Sequence, residues 1–152
     1  MDERFLRNEM MLGPEAVEKL ASVHVCVFGL GGVGSYVVEG LARSGVGELT
    51  LIDQDTYGES NINRQLGALT STLGQGKAEV LARRVLDINP RCAVHPIRGV
   101  YCREDRERFF GPYHYLADAI DLGSCTVDLS LQARGRGIPL LTPLGHGRQR
   151  AT

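Results

Sequence analysis

The segment HVCVFGLGGVGSYVVEGLARSG, residues 24–45, constrains the fold more than any other part of the chain. An apolar run, His24 to Phe28, leads directly into Gly29, Gly31 and Gly34 at GxGxxG spacing, and a helical pattern follows. That order predicts a strand, a tight turn and a helix start. The turn needs a residue without a Cβ, the backbone must come close to a phosphate, and the helix must pack on its strand. Free N–H groups at the helix start then face an anion. Taken alone, the motif also fits an ordinary glycine-rich turn, so the rest of the chain has to decide.

The flanking pattern supports a βαβ unit. Val33, Val37, Val38, Leu41 and Ala42 make one apolar helix face, ended by Gly45 and Gly47, and a second strand, Glu48 to Ile52, runs into Asp53. A carboxylate about twenty residues beyond the glycine loop is where a nucleotide's ribose is held. Lys77 to Ile88 reads as a helix stopped by Asn89-Pro90, and Ala93 to Ile97 as a strand. Residues 103–110 (REDRERFF) predict a short charged helix, Tyr115 to Ile120 a strand, Val127 to Ala133 part of a helix, and Ile138 to Leu141 a last strand. Ahead of all this, residues 1–22 read as a helical arm interrupted at Gly13-Pro14. Alternating strands and helices imply an α/β fold: a Rossmann-like, open, mostly parallel sheet with helices on both faces, covering residues 23–152.

Composition narrows the class of partner. With 152 residues, 43% hydrophobic and 23% charged, the chain suits one domain with a real core. A net charge of -1 and a pI near 6.4 give no global basic field, so a nucleic acid would have to meet a local patch. Cys26, Cys92, Cys102 and Cys125 follow neither CxxC nor Cys/His metal spacing, which argues against a zinc site or a disulfide framework. No signal-peptide pattern and no bilayer-length apolar run is present, so a soluble, cytoplasmic protein away from membranes is expected.

Up to Asp53 a nicotinamide dehydrogenase fits equally well. The loop DQDTYGESNINRQ and the following GQGKAE add Arg64 and Lys77 at the carboxyl edge of the sheet, where such folds bind ligands. A triphosphate attacked at its α-phosphorus needs cations on the leaving phosphates, more than a dinucleotide's pyrophosphate does. Each residue singly also fits a solvated surface charge. Asp118 and Asp121 in YLADAID fall near the same crevice; Asp121 suits either a Mg²⁺ ligand or a helix cap.

Together, GLGGVGS (29–35), LTLIDQD (49–55), SNINRQ (60–65), GQGKAEV (74–80), INP (88–90) and DAID (118–121) resemble the adenylating enzymes related to ubiquitin-activating enzymes, including those of thiamine and molybdopterin synthesis. The likeness runs over nearly the whole chain. RFLRNEMMLG (4–13), ARSGVGELTLID (42–53) and DAID are most similar to the tRNA threonylcarbamoyladenosine dehydratases. The resemblance implies ATP and Mg²⁺ as cofactors, and adenylation of the carboxylate of threonylcarbamoyladenosine at position 37 of tRNA. Pyrophosphate leaves, and the modification cyclises with loss of AMP.

Carried over by residue, Gly29, Gly31, Gly32 and Gly34 line the phosphate loop and Asp53 binds ribose. Asp55, Asn61, Arg64, Gln65 and Lys77 complete the nucleotide site, with Arg64, Gln65 and Lys77 on the phosphates. The resemblance implies Asp121 as the magnesium or adenylation carboxylate. Arg7 of the N-terminal helix, with Arg4 as second choice, matches an arginine that enters the neighbouring subunit's ATP site, which implies a homodimer. From the residues alone, Arg7 reads as a solvated cation.

The chain departs from the family after DAID, where Thr126 stands in place of a lysine, and beyond Leu144-Gly145, where the pattern diverges. Relative to the family it resembles the nucleotide-binding half, and nucleotide binding is expected to survive better than catalysis. Arg134, Arg136, Arg148 and Arg150 make the C-terminal stretch basic, which fits phosphate contacts to tRNA or a solvated tail. Three alternatives stay open: activation of a ubiquitin-like sulfur-carrier protein as partner, an NAD-dependent oxidoreductase, and an inactive nucleotide-binding module.

Overall fold

The computed structural model describes residues 2–120 and 123–143. Five parallel strands form one sheet: β1 (His24–Phe28), β2 (Glu48–Ile52), β3 (Ala93–Ile97), β4 (Tyr115–Asp118) and β5 (Leu140–Leu141). Their order is β3-β2-β1-β4-β5, so the chain steps outward from β1 to one edge and then restarts on its other side. Such a reversal opens a crevice beyond the carboxyl ends of β1 and β4. The helices are α1 (Leu6–Leu12), α2 (Pro14–Ala21), α3 (Gly34–Arg43), α4 (Lys77–Ile88) and α5 (Gly123–Gly135).

The period-2 alternation of β1 sends its side chains into two cores. Val25 and Val27 join Leu49 and Leu51 of β2 beneath Val38 and Ala42 of α3 and Leu81 and Val85 of α4. Cys26 and Phe28 face the other way, against Ile52, Tyr101, Phe109, Leu116 and the α5 residues Leu129 and Ala133. All five β1 residues are therefore buried, as a strand covered on both faces must be. Helices on both faces agree with the expected open, mostly parallel arrangement, and every strand pair in the sheet is parallel.

The arm docks at the amino end of the sheet. Pro14 opens α2 without losing an intrahelical bond, and the Gly47 N–H donates to the Leu20 carbonyl. Phe5 is buried, and Asn8 Nδ2 donates to the Arg43 carbonyl at the end of α3.

Three expected elements differ. The charged segment forms a 3-10 helix over Arg103–Phe109 with a break at Asp105, not an α-helix. β4 stops at Asp118, where the Ile120 N–H turns back onto Asp118 Oδ1. β5 shrinks to Leu140–Leu141, since the Ile138 N–H closes the end of α5 on the Ala133 carbonyl.

Candidate functional site

The glycine loop joins β1 to α3 at the crevice. Gly29 has φ +89°, and a Cβ there would lie 2.7 Å from the Ala119 carbonyl oxygen. A Cβ on Gly34 would lie 1.7 Å from the Gly29 carbonyl oxygen, so the first helical turn sits directly on the loop. Gly31 and Gly32 are different. Gln65 Nε2 and Arg64 Cγ pass 3.5 and 3.6 Å from where their Cβ atoms would be, so these two glycines form a floor beneath those side chains. The N–H groups of Gly31, Gly32 and Val33 donate to no group among the described residues.

Asp53 pins this loop. Its Oδ2 accepts the Leu30 N–H at 2.8 Å and its Oδ1 accepts the Asp55 N–H at 2.8 Å. Each oxygen keeps a lone pair for a ligand hydroxyl. The Asp55 side chain is exposed, while its carbonyl accepts the Lys77 N–H and fixes the start of α4. Asn61 accepts the Gly58 N–H through Oδ1, and its carbonyl accepts the N–H groups of Arg64 and Gln65. Within the chain, Asn61 shapes the turn that presents those two side chains.

Arg64 is exposed and donates to the Ser60 carbonyl at 2.9 Å and to Asn63 Oδ1 at 3.0 Å. Gln65 is buried, with Oε1 lacking a partner among the described residues. Lys77 is only 6% exposed, its Nζ 5.8 Å from the Tyr57 ring centre. Among the described residues, neither Arg64 nor Lys77 has a carboxylate within ion-pair distance. Burial, with Asp53 adding to it, pushes the Tyr57 hydroxyl up to about 12, so Tyr57 stays neutral beneath the lysine. Among the described residues, two cations without counter-charges, a helix N-terminus and an unsatisfied buried amide fit a polyanionic ligand with a ribose.

Asp118 is 2% exposed. Burial pushes its carboxyl above the usual range, against hydrogen bonds from Ile120 and Thr126 that pull it down. It braces the turn after β4. Asp121, the expected Mg²⁺ ligand, lies outside the described residues, as do Gly145, Arg148 and Arg150. Arg7 is exposed on α1, at the opposite end of α3 from the glycine loop, roughly 15 Å away at 1.5 Å per residue. The chain does not bring it to its own nucleotide site. Arg4 pairs with Asp2 at 3.2 Å. Arg136 is committed internally, donating to Glu107 and lying 4.0 Å over the Phe110 ring, so it is not part of a free basic tail. The burial of Lys77 and the Tyr57 ring beneath it were not foreseen from the sequence.

The sequence matches the ThiF family model over residues 5–144. The chain belongs to the ThiF family. This ThiF-family chain is 42% identical over 146 residues to a tRNA threonylcarbamoyladenosine dehydratase of Bacillus subtilis, covering 95% of the chain and 58% of that relative. Against the enzyme of the same name from Escherichia coli it is 39% identical, with 97% and 55% covered. The crystal structure of that Escherichia coli enzyme in complex with ATP superposes with a TM-score of 0.91, covering 97% of this chain and 61% of that one. A SAMP-activating enzyme E1 of Haloferax volcanii is 33% identical, with 91% and 52% covered. The chain thus spans somewhat more than half the length of these relatives. No helix among the described residues is long and apolar enough to cross a membrane.

Proposed function

We propose that this chain binds Mg-ATP at the glycine loop and serves the ATP-dependent adenylation of a carboxylate, that of threonylcarbamoyladenosine at position 37 of tRNA. The observation that carries the reading is the pairing of Arg64 and Lys77, both without a carboxylate partner among the described residues, with the uncapped loop at Gly31–Val33. The dehydratase relatives supply the acceptor.

In this reading the loop N–H groups and the start of α3 hold phosphate oxygens. Asp53 holds the ribose hydroxyls while keeping its bonds to Leu30 and Asp55. The substrate carboxylate attacks the α-phosphorus, the bond to pyrophosphate breaks, and Arg64, Gln65 and Lys77 stabilise the charge growing on the leaving phosphates. The acyl adenylate then loses AMP as the modification closes into a ring. Asp121 would hold Mg²⁺, which would neutralise charge on the phosphates. Two copies of the chain would form a dimer in which Arg7 of one completes the site of the other.

Calorimetric titration with Mg-ATP and, separately, with NAD tests the site, with Arg64→Ala as control. Saturable ATP binding, weakened at least tenfold in the variant and absent for NAD, is expected. NAD preferred over ATP, with Arg64→Ala neutral, would overturn it. AMP release on threonylcarbamoyl-modified tRNA then tests the acceptor. Release with a ubiquitin-like sulfur carrier in its place, or ATP binding without AMP release on the tRNA by a dimeric protein, would each reject the tRNA assignment.

A further inference from the structure

At the end of the sheet opposite the glycine loop, two histidines gather around one carboxylate, and a third, His114, lies against the backbone of the first. His24 and Glu48 are register partners at the amino ends of β1 and β2, and His95 pairs with Thr50 across β2 and β3. Parallel pairing with a two-residue period puts all four side chains on one face. His95 Nε2 lies 2.7 Å from Glu48 Oε2, and His24 Nδ1 lies 3.6 Å from Glu48 Oε1. One ligand-type atom from each of the three residues falls within 4.8 Å of the others, the one such His/Cys/Asp/Glu group among the described residues.

The surroundings fix the donor atoms. His24 Nε2 is 2.8 Å from Thr50 Oγ1; with Nε2–H donating there, the Nδ1 lone pair is left facing Glu48. His114 Nδ1 accepts the His24 N–H at 2.9 Å, and the Tyr113 ring packs edge-on at 4.9 Å. The His24 side chain is 9% exposed and so anchored, whereas those of Glu48 and His95 are 39% and 50% exposed, leaving a path from solvent.

We propose that His24 Nδ1, the Glu48 carboxylate and His95 Nε2 form a binding site for a borderline divalent ion of the Zn²⁺ class, with water in the remaining position. Two imidazoles and a carboxylate disfavour Mg²⁺ and Ca²⁺, which take oxygen ligands. Tetrahedral bonds of about 2.1 Å separate ligand atoms by about 3.4 Å, inside the range these atoms already span. The ion ties β1, β2 and β3 together at their amino ends. It sits about 16 Å from the glycine loop, from the rise along β1, and is independent of the nucleotide reading.

The test uses the full chain, stripped with chelator and titrated with Zn²⁺ by calorimetry and with Co²⁺ by absorption. The expected result is one saturable ion per chain, Co²⁺ d–d bands without a thiolate charge-transfer band, and a melting temperature that rises with Zn²⁺ concentration. Glu48→Gln and, separately, the more exposed His95→Gln each weaken binding tenfold or more while retaining the melting temperature of the metal-free protein within a few degrees. Absence of saturable binding, unchanged affinity in both variants, or a thiolate band assigning the ion to the cysteines would each overturn the proposal.

Discussion

Lys77 carries its charge into a position only 6% exposed, with an aromatic face rather than a carboxylate beneath it. Such a cation costs stability unless an anion arrives. Lys77→Met keeps the volume and removes the charge. The melting temperature is expected to hold or rise, while ATP affinity measured by calorimetry falls about 10- to 100-fold, the worth of a charge-assisted contact. Gly34→Ala works in the opposite way, driving a methyl into the Gly29 carbonyl. A loss of about 3 kcal/mol in urea unfolding is expected, together with loss of ATP binding. The steric demands at Gly29 and Gly34 were legible in the GxGxxG spacing, because they belong to the backbone. The environment of Lys77 was not: a lysine reads as exposed unless its burial against Tyr57, set by the tertiary fold, is known.

Between helices, Glu39 joins α3 to α4. Its carboxylate accepts from Arg84 Nε at 2.7 Å and Nη2 at 3.0 Å, and from Arg43 Nε at 2.8 Å. The Arg84 hydrogen bonds first, then those of Arg43, hold Glu39 below the usual carboxylate range against a modest cost of burial. A lowered carboxylate contributes stability above its unfolded value, and that contribution is lost as pH falls through the folded value. Glu39→Gln is therefore expected to cost about 1 kcal/mol at neutral pH. Urea titrations should show the gap to wild type closing as pH drops below about 4.5.

Strands β1, β2 and β3 and helix α4 were legible to the residue, because glycines, Asp53 and Asn89-Pro90 punctuate them. α5 was only partly legible. Val127, Leu129 and Leu131 alternate as a strand would, and the helix is decided by Leu129 and Ala133, one turn apart, reaching the core while Val127 and Leu131 stay 62% exposed. The 3-10 geometry of Arg103–Phe109 had no sequence signal, since its buried anchor, Phe109, packs against Phe28 and Tyr101 from outside the segment.

Across the whole molecule, the two ends of the sheet differ in chemistry. Uncapped N–H groups and cations gather at the carboxyl end, and the His24–Glu48–His95 group at the amino end. The arm belongs to the amino end as well. Removing the Phe5 ring, which is 8% exposed, is expected to release it: Phe5→Ala should lose about 3 kcal/mol and become sensitive to brief proteolysis before α2, read by mass spectrometry.

The strand order also sets a schedule. β1 finds β2, and β2 finds β3, through shorter excursions, but the other neighbour of β1, β4, pairs Val25 with Tyr115 only after roughly 90 residues of chain have been spanned. The floor of the crevice, where Gly29 meets Ala119, is made by that late pairing. A chain emerging from the ribosome is therefore expected to gather β1, β2 and β3 with α3 and α4 before β4 seats and closes that floor. Pulse-labelled hydrogen exchange during refolding should show the β2 amides protected before those of β4, with bound ATP slowing only the loss of protection that follows.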